Sequence, residues 1–307
     1  MVKLASPDPI SRATGISLRN YEREVKFYNE IANTLDVRKP HCYFADWHEE
    51  AGDIAIVLED MTPCEQGDQI RGCGIDEARI SVTELSKLHG PRWGDASLSK
   101  IDWLQRRDAD DAARLEGLYA MLKPGFLAVH GEAIRRECGE EGIAFIETLG
   151  TMMTRYVNAK DEPFTVTHGD YRLDNCMVDA QGNVIAVLDW EICTLGDPMA
   201  DLGLLMVYWT GPNDDASAWS NSVCTAKGFL DRADLARRYA ETSGRDISQL
   251  DYYVAFAYWK LACIIEGVYA RYLGGALGDR DPAELEPFKL QVDGAAQKAA
   301  SMLEKLR

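Results

Sequence analysis

The chain lacks the features that would place it in several broad classes. No stretch of its 307 residues approaches the roughly 18 uninterrupted apolar residues of a membrane span, and no basic segment followed by an apolar one stands at its start. Neither a membrane protein nor a secretory leader is expected. The eight cysteines (Cys42, Cys64, Cys73, Cys138, Cys176, Cys193, Cys224 and Cys263) form no CxxC pair and have no histidine at zinc-finger spacing. Free thiols in a reducing cytoplasm fit this pattern. Positive charge is scarce, with 33 Lys and Arg against 50 Asp and Glu and a net charge of −17. Such a surface repels nucleic acid and anionic membranes, and no basic patch offsets it, so neither is an expected partner. Repeats and low-complexity stretches are also missing. What remains, at 46% hydrophobic and 27% charged residues, is an ordinary globular composition, long enough for one large domain or two modest ones.

A strand tail at Val2 to Leu4 leads into a loop carrying Pro7, Pro9 and Gly15, and then into a helix expected from Ser17 to Leu35. At 100° per residue, Tyr21, Val25, Phe27, Tyr28, Ile31, Ala32 and Leu35 share one arc. Glu24 lies inside that arc, where a carboxylate is costly unless a cation or hydrogen-bond donor meets it. Extended segments follow at Cys42 to Asp46 and Asp53 to Met61, the second a dense apolar run closed by Glu59 and Asp60. Helical periodicity takes over from Asp76, with Ala78, Val82, Leu85 and His89 on one face, and dominates from about Ala109 to Ala159. The fold class expected is therefore α+β, with a strand-rich start and a mostly helical remainder.

One strand-rich island interrupts the helices. It reads FTVTHGDYRLDNCMVDAQGNVIAVLDWE, with a turn at Ala180 to Asn183 that makes a hairpin of Cys176 to Asp179 and Val184 to Leu188. Asp170 and Asn175 lie five apart on a loop, and Asp189 follows fourteen later at the end of the returning strand. A hairpin returns Asn175 and Asp189 to the same end. An amide oxygen and a carboxylate can then share one Mg²⁺ while Asp170 projects toward a nucleophile, which is what phosphoryl transfer requires. Helices resume after Trp190, at Leu202 to Trp209, around Tyr252 to Tyr272, and from about Glu284 to Lys305.

The order His168, Asp170, Asn175, Asp189 follows the protein-kinase signature, with Gly169 where that signature has Arg. The same chemistry calls for a lysine on an N-terminal strand paired with a glutamate on the next helix, and Lys3 and Glu24 fit. The blocks NYEREVKFYNEIA, VLEDM, GDQ, HGDYRLDN and VLDWEICTLGDPMADLG resemble the aminoglycoside phosphotransferase and choline kinase superfamily, more narrowly the bacterial phosphotransferases related to ecdysteroid kinases.

The resemblance covers nearly the whole chain and implies a protein-kinase-like two-lobe fold. Residues 1–61 would form a small N-terminal lobe with an antiparallel sheet, and 62–307 a large helical C-terminal lobe with the catalytic loop and metal-binding hairpin. It further implies ATP and Mg²⁺ as cofactors, Asp170 as the catalytic aspartate, and Asn175 and Asp189 as metal ligands. Lys3 and Glu24 would position the phosphates, and Glu59, Asp60 and Met61 would form the hinge that pairs with adenine. Asp197 or Asp201 would brace the catalytic loop. Arg172 is either a phosphate or substrate contact or an ordinary ion-pair partner.

Members of this superfamily carry two strands and a glycine-rich turn ahead of the lysine strand, whereas only Met1 and Val2 precede Lys3. Either the natural start lies further upstream, the reading preferred because every residue needed for the chemistry is present downstream, or normal ATP binding has been lost; the sheet edge left open invites pairing with a second copy. The function expected is phosphorylation of a hydroxyl group on a small-molecule alcohol. The alternatives are a nucleotide-sensing or scaffold module without turnover, and a metal-dependent phosphohydrolase, for which too few further ligands lie near Asp189.

Overall fold

The structure, a computed structural model, describes residues 1–68, 75–104, 106, 109–149, 151, 164–209, 230–273 and 282–302. Gln69 of the GDQ block, the end of the helical stretch expected up to Ala159, and Leu303 to Lys305 lie outside them. The fold is α+β, with antiparallel strands and mostly helical content. Contacts divide the chain into two compact units, one of Met1–Arg106, Pro163–Leu202 and Cys224–Ile247, the other of Arg107–Glu162, Gly203–Val223 and Ser248–Arg307. That division differs from a cut after Met61. The hairpin segment shares a unit with the N-terminal sheet, and it is tied to the N-terminal part by the Val187 N–H bond to the Arg38 carbonyl and by the Lys3–Asp189 ion pair.

In the first unit, β1 (Val2–Leu4) and β2 (Cys42–His48) flank β3 (Asp53–Leu58) in an antiparallel sheet of order β1-β3-β2. Alternation along β1 sends Val2 and Leu4 to the exposed face and Lys3, opposite the fully buried Ile56, to the other. The inward residues of β3, Ile54, Ile56 and Leu58, are all buried. They meet the helical segment whose apolar arc was legible in sequence: Tyr21, Val25, Phe27, Tyr28, Ile31, Ala32 and Leu35 are all buried, and so is Glu24.

That segment is not one helix. Residues 9–17, expected as loop, form α1 (Pro9–Ser17), because the Asp8 carboxylate caps the Ser11 N–H at 2.7 Å and Pro9 occupies the first helical position. Arg19, in the left-handed region at φ 58°, breaks the chain before α2 (Asn20–Lys26). A π-turn at Phe27–Ile31 and a 3-10 turn at Ala32–Thr34 complete the run.

The island is built from small sheets. β4 (Glu65–Gln66), β6 (Cys176–Val178) and β7 (Val184–Val187) pair in that order, and β5 (Thr165–Thr167) pairs with β8 (Thr194–Gly196). β4 and β8 are too short to leave a periodic trace in sequence. The hairpin turn closes on Asp179, whose Oδ1 accepts from Gln181 and Asn183 N–H, with Gly182 at φ 80°. α3 (Ile75–His89) packs against β5 and β7, the first turn of α5 (Met199–Tyr208) follows β8, and α6 (Arg232–Ser243) packs on α3.

The second unit is helical in all its described elements. α4 (Ala109–Leu149), non-helical at Gly139, packs with α7 (Leu250–Leu273) and α8 (Pro282–Ser301). Inside it the buried His130 lies between Asp293 and Glu266, the latter 3.1 Å from Nε2. Among the described residues no helix is long and apolar enough to cross a membrane.

Candidate functional site

The loop between β5 and β6 is held open by a buried acid. Asp201, on the first turn of α5, accepts from the His168 N–H at 2.7 Å and the Gly169 N–H at 2.8 Å. Burial alone would raise its pKa, but His89 at 3.2 Å and the N–H donated by His168 hold it below the usual aspartate value. His89, buried on α3, is bonded through Nδ1 to the Tyr239 hydroxyl at 2.7 Å. Of the two acids left open as the brace, Asp201 touches the loop, whereas Asp197 Oδ1 accepts from the Met199 N–H and starts α5. Gly169 sits at φ +85°, and a Cβ there would lie 2.8 Å from the Ile192 carbonyl oxygen. This is the physical reason that glycine stands where the kinase signature has arginine.

His168 extends the same scaffold. Its Nδ1 accepts from the Asp170 N–H and its Nε2 donates to the Leu188 carbonyl at 2.8 Å, which defines the neutral Nε2–H tautomer. The loop and the end of the returning strand are thereby joined. The Leu188 N–H also donates to the Asn175 carbonyl at 2.8 Å, bringing the segment that carries Asn175 alongside the one that carries Asp189. Asn175 spends its amide N–H on the Asp170 backbone carbonyl at 2.8 Å and on Asp170 Oδ2 at 3.2 Å. Its planar amide therefore turns Oδ1 away from Asp170. Asp170 itself is partly exposed, with Arg172 Nε 3.3 Å from Oδ2, and Arg172 Nη1 donates to Asp174 at 2.8 Å. Arg172 is thus an ion-pair partner of the loop's own carboxylates.

Asp189 is a non-glycine residue in the left-handed region, at φ 66°, a strain that the structure around it must hold. Trp190 supplies the restraint. It is fully buried, donates Nε1–H to the Val187 carbonyl, stacks on Phe27 and lies 4.6 Å from the His168 ring. Lys3 Nζ meets Asp189 at 2.8 Å, Glu24 at 2.6 Å and Glu191 at 3.3 Å. Lys3 and Glu24, 21 positions apart in sequence, are therefore in direct contact. Glu24 is 1% exposed, and burial pushes its carboxyl up to about 7 even with Lys3 working against the rise. Burial would lower the Lys3 ammonium, but Glu24 and Asp189 more than reverse this and hold it above its ordinary value.

Glu191 is the residue that sequence reasoning passed over. It accepts from Asn20 Nδ2 at 3.3 Å, and its backbone carbonyl accepts from Arg23 at 3.0 Å, so the first turn of α2 is fastened to the Asp189 turn. An acid two residues beyond the aspartate expected to bind metal was the available signal. Carboxylate oxygens of Glu24, Asp189 and Glu191 all lie within 4.8 Å of one another. At the end of β3, the Glu59 N–H donates to the His41 carbonyl, Asp60 Oδ1 accepts from Thr62, and the Met61 carbonyl accepts from the Cys64 N–H.

The donor set of Asn175 Oδ1 and the Asp189 carboxylate consists of hard oxygens, which fits Mg²⁺ and excludes neither ligand on charge. The arrangement thus offers oxygen ligands on neighbouring segments, a lysine ammonium beside Asp189, and a partly exposed Asp170 carboxylate.

Residues 17–241, more than half of the chain, match the phosphotransferase enzyme family. A Ralstonia eutropha crystal structure provisionally labelled an aminoglycoside phosphotransferase shares the fold at TM-score 0.64 and 20% identity, over 93% of this chain and 83% of that one. Aminoglycoside 2'-phosphotransferase-IIIa in its GDP complex aligns at TM-score 0.54 and 13% identity, covering 92% of this chain and 83% of that one. Among curated sequences, acyl-CoA dehydrogenase family member 11 of Gallus gallus is 32% identical over 170 residues, 53% of this chain. Member 10 of Mus musculus is 36% identical over 115 residues, 36% of this chain. The matched segments span 22% and 11% of those two relatives.

Proposed function

Because the chain belongs to the phosphotransferase enzyme family, we propose that it transfers the γ-phosphoryl group of ATP, with Mg²⁺, to a hydroxyl group of a small molecule. The observation that carries this reading is the pairing of Lys3 with both Glu24 and Asp189, next to a braced loop bearing Asp170. The 1–61 and 62–307 lobes are part of the proposal, with the nucleotide addressed by the first and the acceptor by the second.

Each residue then has a definite task. Asp170 orients the acceptor hydroxyl and takes its proton, and Arg172 at 3.3 Å tempers the charge it carries beforehand. Lys3, kept cationic by its carboxylate partners, addresses the α and β phosphates, while Glu24 sets its direction. Backbone groups of Glu59, Asp60 and Met61 other than the Glu59 N–H and the Met61 carbonyl, which are bonded to His41 and Cys64, pair with the adenine. Asn175 and Asp189 would hold Mg²⁺, which when bound neutralises charge on the phosphates.

For the acceptor we take the company this segment keeps in its relatives. Proteins named for acyl-CoA dehydrogenation contain a matching segment, so the acceptor class proposed is a hydroxylated acyl compound, as a thioester or a free acid.

The test is an ATP-consumption assay with Mg²⁺ against hydroxyacyl thioesters, free hydroxy acids and aminoglycosides, with mass spectrometry for the phosphorylated product. Turnover on one class, lost by roughly a thousandfold in Asp170→Ala with nucleotide binding retained, is the expected result. Nucleotide binding with no phosphorylated product from any class would return the chain to a sensing or scaffold role.

A further inference from the structure

Lys3 has more carboxylate partners than the proposed reaction needs. A lysine ammonium carries three N–H donors, and here three carboxylates surround it: Glu24 at 2.6 Å, Asp189 at 2.8 Å and Glu191 at 3.3 Å. Resting on the reading above, Asp189 must turn from Lys3 when it serves a metal ion. An ammonium left to Glu24 alone would keep two donors without a fixed direction.

We infer that Glu191 is a positioning residue for Lys3: it keeps a second donor occupied when Asp189 leaves, so that the third points at the nucleotide's phosphates. Three features of Glu191 suit it to this task. Its carboxylate is anchored on the far side by Asn20 Nδ2 at 3.3 Å, so it is not free to follow Asp189. Its backbone is held by Arg23 at 3.0 Å, on the same helix that carries Glu24. Its neighbour Trp190 is fully buried against Phe27, which fixes the turn from which Glu191 projects. Glu24 and Glu191 thus approach Lys3 from two elements that are fastened to each other without involving Lys3.

A simple charge argument makes the opposite prediction, and this separates the two. Glu191 is an anion beside a site for an anionic ligand, so if it were only a surface acid its neutralisation would relieve repulsion and tighten nucleotide binding. If it directs Lys3, neutralisation weakens binding. The substitution Glu191→Gln is isosteric and keeps an oxygen to accept from Asn20, so it removes the negative charge facing Lys3 while leaving the Asn20 and Arg23 contacts in place.

The experiment is calorimetric titration of the protein with MgADP. Wild type binds, Glu191→Gln binds about tenfold more weakly, and Glu191→Asp, which retains the charge, recovers most of the loss. In turnover, Glu191→Gln raises the KM for ATP by a similar factor while kcat changes less than about threefold, a split that general unfolding does not produce. Equal or tighter MgADP binding by Glu191→Gln overturns the inference and leaves the phosphotransferase reading intact. Failure of wild type itself to bind MgADP overturns the phosphotransferase reading and the inference with it.

Discussion

Trp190 lies flat against Phe27, their ring centroids 4.0 Å apart and their planes within 9°. Both side chains are completely buried, one from the turn that carries Asp189 and the other from the segment that follows Glu24. This stack is the apolar joint on which the polar site is mounted, because it fixes the strained Asp189 turn relative to the carboxylate that holds Lys3.

Trp190→Ala should therefore cost stability and function together. Removing a fully buried tryptophan leaves a cavity worth about 3–5 kcal/mol, and urea unfolding should report a loss in that range. Trp190→Phe, which preserves stacking on Phe27 but not the Nε1–H bond to Val187, should lose less than half as much. Equal losses in the two variants would mean that the hydrogen bond, and not the stack, carries the joint.

Gly169→Ala tests the geometry of the catalytic loop. The added methyl meets the Ile192 carbonyl at 2.8 Å in a backbone conformation that L-residues resist. A destabilisation of about 2 kcal/mol and a fall in kcat of at least about a hundredfold are expected, measured by denaturant titration and steady-state kinetics. Wild-type kcat in this variant would show that the loop does not need its present path.

Asp201→Asn keeps the shape of the brace but offers only one oxygen where two N–H groups are now bonded. We expect kcat to fall by one to two orders of magnitude with the nucleotide dissociation constant within about threefold, since Lys3 and Glu24 are held independently. Calorimetry beside kinetics separates the two. A matching loss of nucleotide affinity would place Asp201 outside this role.

The two buried histidines should respond to pH in opposite directions. For His89, burial lowers the pKa more than Asp201 raises it, so its folded value lies below the ordinary 6.5. Its contribution is complete above that value and is lost as pH falls below it, when the unfolded chain gains a proton that the folded one refuses. For His130, burial also works downward, but Asp293 and Glu266 more than reverse it and raise the pKa. That contribution is complete below 6.5 and is lost as pH rises through the folded value. Thermal unfolding of His89→Gln and His130→Gln between pH 5 and pH 9 should show these as opposite changes in slope, at about 3 °C per kcal/mol. Parallel changes would contradict the surroundings described for one of the two.

Much of this was legible one residue at a time. The hairpin is written in its turn, since Asp179, Gly182 and Asn183 permit little else between two apolar runs, and strand geometry then brings the Asn175 and Asp189 segments together. Glu24 stood out because a carboxylate within an apolar arc requires a partner. One miss was local: residues 9–17 carry a proline, which reads as loop until the Asp8 cap is recognised as a helix start. Local signals failed elsewhere because a neighbour far away in sequence decides the outcome. Whether Asp197 or Asp201 braces the loop depends on which one faces the His168 and Gly169 N–H groups, and both precede or open the same helix.

By itself, then, the amino-acid order determined the strand-turn-strand that bears the metal-ligand candidates, the buried carboxylate on α2, and the α+β class, because each depends on periodicity and turn chemistry within a few residues. The tertiary structure alone decided that Glu191 joins Lys3 and that Trp190 stacks on Phe27. Ion pairs and ring stacking act over a few ångströms of space between groups widely separated along the chain, and no spacing in the sequence encodes that proximity.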